Sequence, residues 1–193
     1  MFHATRRASV AEALNNIRQV KFAMDGFASD HNGRYPHEHL HDQLGTSGSS
    51  SNALFRQLFL AGETGSETIF RVRDSSVTSR RPPDDKIEHR GTPDPDLILQ
   101  PGDNHWAYAH GLTAHSRLET PLVFDPHHPD TGEFDPDLWD LKAVILRVDG
   151  SARAMRMRIS DNRVLDEAGL DLFRPESTHW NGSLPDLRQP ESI

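Results

Sequence analysis

The chain has 193 residues, no cysteine, and 29 acidic against 21 basic side chains, for a formal net charge of -8. The missing cysteines exclude disulfides, thiolate nucleophiles and zinc–thiolate sites. The scattered Lys and Arg form no tract that would displace counterions from phosphate, so nucleic acid is not an expected partner.

A chain this long buries roughly 70% of its unfolded surface in one core. One domain over residues 1–173 is expected, followed by a loosely ordered tail over 174–193. The apolar fraction of 35% and mean hydropathy of -0.67 leave room for long polar loops.

In chain order, the first element is the clearest. Val10, Ala13, Leu14, Ile17, Val20, Met24 and Phe27 recur at steps of three and four, which predicts an amphipathic helix over about 5–30. Asp30-His31-Asn32-Gly33 stops it, with Asn32 or Gly33 suited to a left-handed helix end. Ser51 or Asn52 can cap a second helix carrying Leu54, Phe55, Leu58 and Phe59. Ile69 to Val72 reads as a short strand, and about 75–96 as a proline-rich charged loop with no packed element.

The second half reads as strands at Trp106–Ala109, Leu122–Phe124 and Lys142–Asp149. Asp149-Gly150 turns the last of these into a return strand whose Met155, Met157 and Ile159 share a buried face. The pattern predicts an α+β fold, a long N-terminal amphipathic helix packed on a small antiparallel sheet with extended loops. No apolar run reaches the ~20 residues of a membrane helix. Met1-Phe2-His3 opens almost directly on the helix, as in a chain whose upstream part has been left out.

Chemistry-bearing residues are present without a recognisable centre. His37, His39 and His41 alternate, but not at the His-Glu-x-x-His spacing that aligns two imidazoles on a helix. Asp130, Glu133 and Asp135 flank a Gly turn and are candidate oxygen ligands for Ca²⁺, without EF-hand spacing; no other cofactor is expected. Ser116, His115 and Asp125 can be named as nucleophile, base and orienter, yet no nucleophile-elbow, phosphate-loop or dinucleotide motif accompanies them. A non-catalytic protein is the expectation. Trp106 and Tyr108 are candidate stacking residues for a glycan or protein ligand.

The run from Ala13 to Lys21, ending in Asp30-His31-Asn32-Gly33-Arg34-Tyr35-Pro36, resembles the soluble part of type II secretion pseudopilin-like, prepilin-type proteins of planctomycetes and verrucomicrobia. Ser51 to Phe59 and Lys142 to Ser151 resemble later pieces of the same family. The resemblance implies a pilin-like head and a structural subunit of a type II secretion or type IV pilus-like assembly. Other pilin-like subunits or secretion-apparatus proteins would be its partners. It also implies a location on the periplasmic or extracellular face of the envelope, anchored through a methylation signal and membrane helix that this chain lacks. As given, the chain would be soluble, with Arg6 and Arg7 just past that segment. Val10, Leu14, Ile17, Val20, Met24 and Phe27 would then be the helix-packing and assembly positions. The alternative is a secreted protein- or glycan-binding module on the same scaffold.

Overall fold

The computed structural model describes the backbone of residues 2–192 and the side chains of residues 9–192. Expectations about Met1 and about the side chains of Phe2, His3, Arg6 and Arg7 lie outside the described residues.

The chain opens in α1 (Phe2–Asp30). Ala13, Ile17, Val20, Met24 and Phe27 are buried along one side of it, and Val10 and Leu14 are half-buried beside them. Asn32 and Gly33 both take left-handed backbone, with φ of 55° and 76°, and the Gly33 N–H donates to the Ala28 carbonyl at 2.7 Å. A Cβ on Gly33 would lie 3.0 Å from His115 Nε2. Gly33→Ala is expected to cost about 1–2 kcal/mol, seen as a lower urea midpoint. An unchanged midpoint would mean that the corner does not require glycine.

Past the corner come the single turn α2 (His41–Leu44) and then α3 (Ser51–Leu60). The cap of α3 is Ser50, whose Oγ accepts from the Ala53 N–H at 3.1 Å, rather than the expected Ser51 or Asn52. Those two side chains point into the core instead. Ser51 Oγ donates to the Trp106 carbonyl at 2.7 Å, and Asn52 Nδ2 donates to the Leu99 carbonyl at 3.0 Å. The expected strand at 69–72 is replaced by a 3-10 turn, Glu67–Phe70. Within the supposedly unpacked loop, β1 (Glu88–His89) and β2 (Thr92–Pro93) pair as a small hairpin.

The remaining strands are β3 (Ala107–His110), β4 (Pro121–Phe124), β5 (Lys142–Arg147), β6 (Ala152–Arg158), β7 (Arg163–Val164) and β8 (Asp186–Arg188). They form one antiparallel sheet in the order β7-β6-β5-β4-β3-β8. A bulge between Pro121 and Val123 lets Leu122 and Val123 enter the same core cluster and tightens the curl of the sheet.

The pilin-like α+β arrangement expected from sequence, a long helix as platform with a small sheet upon it, does not form. The architecture is a curled six-stranded antiparallel half-barrel that carries the helices. The reason lies in strands buried on both faces. Every residue of β4 is buried, and so are Ala143 to Leu146 of β5. One helix stripe covers only one face. On that face Val144, Leu146 and Leu122 meet α1 and α3. On the other, Phe124, Ile145 and Met157 are roofed by Phe134, Leu172, Phe173 and Trp180.

The C-terminal stretch is therefore part of the sheet and its roof, not a loose tail. Its β8 pairs with β3, and the Ser51 N–H donates to the Gln189 carbonyl at 3.0 Å. The return strand β6 also stops short of Ile159, which is 80% exposed rather than on the buried face. Among the described residues, no helix is long and apolar enough to cross a membrane.

Candidate functional site

Two surfaces merit attention: the outward side of α1, and a cleft at the ends of β3 and β4. The α1 positions expected to mediate assembly are mostly committed to the protein's own core. Ile17, Val20, Met24 and Phe27 have no exposed surface. What α1 turns outward is a line of Ala11, Asn15, Arg18 and Phe22. Phe22 is 81% exposed. Beside it runs a groove of about 440 Å³, lined by Asn15, Arg18, Phe22, Glu63 and Ile69. Gly26 leaves room on α1 for the Glu63 carboxylate, which any Cβ there would overlap.

The cleft, of about 640 Å³, lies where β3 begins and β4 ends, within the volume range of small-molecule sites. The pairing of Ala107 with Phe124 brings the start of β3 and the end of β4 together, and just past those ends the His105 ring reaches Asp125. His105 is tethered through its N–H, which donates to the Phe70 carbonyl at 2.8 Å. The loop after Val72 is folded back by Thr78 Oγ1, which donates to the Val72 carbonyl at 2.9 Å. Asp74 takes left-handed backbone, with φ of 66°, a conformation Asp tolerates better than most residues. That turn delivers Ser75 to the His105 ring.

The result is a continuous chain of short hydrogen bonds. Ser75 Oγ and His105 Nδ1 are 2.7 Å apart, as are His105 Nε2 and Asp125 Oδ1. Asp125 Oδ2 accepts from Trp139 Nε1 at 2.8 Å and from the Val144 N–H at 2.6 Å. A carboxylate only accepts, so the His105 hydrogen sits on Nε2 and Nδ1 accepts from the Ser75 hydroxyl. All three are buried, Ser75 the least so at 9% exposed, and all three line the cleft. His127, in the same lining, has its pKa lowered by burial.

No family model matches the chain. No curated protein or solved structure matches it either.

The residues singled out from sequence are differently placed. Trp106 and Tyr108 are wholly buried, and their polar tips donate inward, Trp106 Nε1 to the Ile69 carbonyl at 3.1 Å and Tyr108 Oη to the Pro36 carbonyl at 3.0 Å. They present no surface on which a ligand could stack, which corrects that expectation. Asp130, Glu133 and Asp135 are exposed on a turn closed by backbone bonds, and Asp135 Oδ1 accepts from the Asp137 N–H at 2.9 Å. Among the described residues, no group of three or more His, Asp or Glu side chains is arranged to hold a metal ion. His37 and His39 stack on one another, and His41 bonds Thr46 Oγ1 and the Gly48 carbonyl.

Of the serine, histidine and aspartate named from sequence, only Asp125 belongs to a linked set. Ser116 Oγ accepts from the Thr113 N–H in a local turn. The true neighbours of Asp125 were visible only as strand-end residues. His105 precedes one predicted strand and Asp125 follows the next, and their side chains meet where the paired strands end. Ser75 carried no signal, because it lies in a stretch without hydrophobic period.

Proposed function

We propose that the chain is a structural subunit of an envelope assembly, equivalent in role to a pseudopilin, and that it docks on neighbouring subunits through the outward side of α1. The observation that carries this reading is the exposed Phe22 beside a groove, on a helix whose opposite side is fixed to the core. The resemblance of residues 13–21, 30–36, 51–59 and 142–151 to pseudopilin-like proteins also supports it. The occupant is α1 of another subunit of the same kind. Arg18 on the helix wall and Glu63 on the facing turn give the groove both signs of charge. Such a surface suits self-complementary pairing, in which each partner's cation meets the other's carboxylate.

The cysteine-free sequence makes the test clean. Phe22→Cys introduces the chain's sole thiol, and mild oxidation of the intact producing cells is expected to yield a disulfide-linked dimer of this chain in the envelope fraction. Arg18→Glu in the same background is expected to reduce the yield at least tenfold by setting like charges together. A product that remains monomeric under oxidation would overturn the docking reading.

A further inference from the structure

We infer that Ser75, His105 and Asp125 form a nucleophile–base–orienter site for carboxylic esters with a short apolar acyl group, a chemistry that does not depend on how α1 docks. The three features such a site needs are present: a nucleophile bonded to a base, a base bonded to an orienter, and a space beside the nucleophile for the reacting carbon. The ring nitrogens are used in the order opposite to the familiar triad, with Nδ1 toward the serine and Nε2 toward the carboxylate. The proton logic is unchanged. Asp125 holds Nε2–H, so Nδ1 is left free to take the Ser75 proton. The Ser76 N–H, next after the nucleophile, makes no hydrogen bond among the described residues and is the candidate donor to the developing oxyanion.

The reaction balances with water as sole co-reactant. Ser75 Oγ attacks the acyl carbon as its proton passes to His105 Nδ1. The bond from carbon to the alcohol oxygen then breaks, and that oxygen leaves with the proton. Water gives a proton to Nδ1 and attacks the acyl-serine, and Oγ departs, recovering the proton. Val77, Phe134, Leu138 and Met157 line the cleft and suit a small apolar acyl chain. Glu133 in the same lining, on a chain of net charge -8, disfavours anionic esters.

A purely structural network would use the same three side chains to tie the 72–78 loop to the sheet, so the test must read reactivity. The folded chain is incubated with a fluorophosphonate bearing a fluorophore, and the adduct is located by peptide mass spectrometry. Modification at Ser75 is expected, faster by about 100-fold than any signal left in Ser75→Ala. p-Nitrophenyl butyrate should show hydrolysis that disappears with the same substitution. Asp125→Asn provides the second variant. Its amide NH₂ toward His105 would move the ring hydrogen to Nδ1, so labelling should fall about 100-fold with the fold retained by circular dichroism. A folded wild-type chain carrying no Ser75 adduct would overturn the inference, as would an Asp125→Asn chain that labels at the wild-type rate.

Discussion

Asp125→Ala is expected to lower the free energy of unfolding by about 4 kcal/mol. The carboxylate is buried and accepts from three donors at once: the His105 ring, the Trp139 indole and the Val144 N–H. Alanine leaves all three facing a dry gap, and each unsatisfied buried donor costs about 1–3 kcal/mol. Those donors come from three separate parts of the chain, so the ties between β4, β5 and the 138–140 turn loosen together. Asparagine keeps an acceptor for Trp139 and Val144, and its cost is expected to be about 1–2 kcal/mol. Urea unfolding of the two variants beside wild type checks both figures. Equal losses for Ala and Asn would show that charge, not hydrogen-bond satisfaction, is what the site requires.

Glu67→Gln should stabilise the protein above pH 7 and remove the share of its pH dependence that Glu67 contributes. Burial, reinforced by Asp103, Asp85 and Asp84, raises the Glu67 pKa from 4.5 to about 7, against the opposing N–H of Leu99 at 2.6 Å. Between those two values the folded chain holds a proton that the unfolded chain has released. The contribution of Glu67 to stability therefore falls as pH rises from 4.5 to about 7, and levels off above that. The loss amounts to about 2–3 kcal/mol. Glutamine still accepts from the Leu99 N–H and has no charge to bury, so at pH 8 it should recover most of that loss. Urea midpoints at pH 5 and pH 8 decide the matter. An advantage of Glu67→Gln over wild type that does not grow from pH 5 to pH 8 would place Glu67 in a more solvated setting than its buried carboxyl suggests.

Legibility from sequence followed the range of the interactions. The α1 stripe and its Asn32-Gly33 stop depend on residues within a few positions of one another, and both were readable. The hairpin of β5 and β6 was announced by Asp149-Gly150, which sits at the observed turn. The dominance of the sheet was not readable, because it depends on a second roof. Phe134, Phe173 and Trp180 are spread over segments with no period, and their common face exists only after β6 and β7 have paired. Residues 186–188 gave no strand signal of their own, since three residues carry too little alternation, and β3 alone makes them a strand. The cleft site failed to appear for a related reason. Asp125 could be named, but its partners lie 20 and 50 positions upstream, where only tertiary pairing brings them near.

The position of β8 also sets the order in which this chain can fold. Strand β3 lies inside the sheet only because Asp186–Arg188 occupies its free edge, and Gly102 and Ser51 take their backbone partners from Glu191 and Gln189. While residues up to 185 are being made on the ribosome, that edge has nothing to pair with, and the core side chains of β3 lack one flank. Closing so wide a loop is slow, and an open strand edge invites pairing with other chains meanwhile. A version cut before β8 should accumulate as aggregate rather than as a smaller soluble protein.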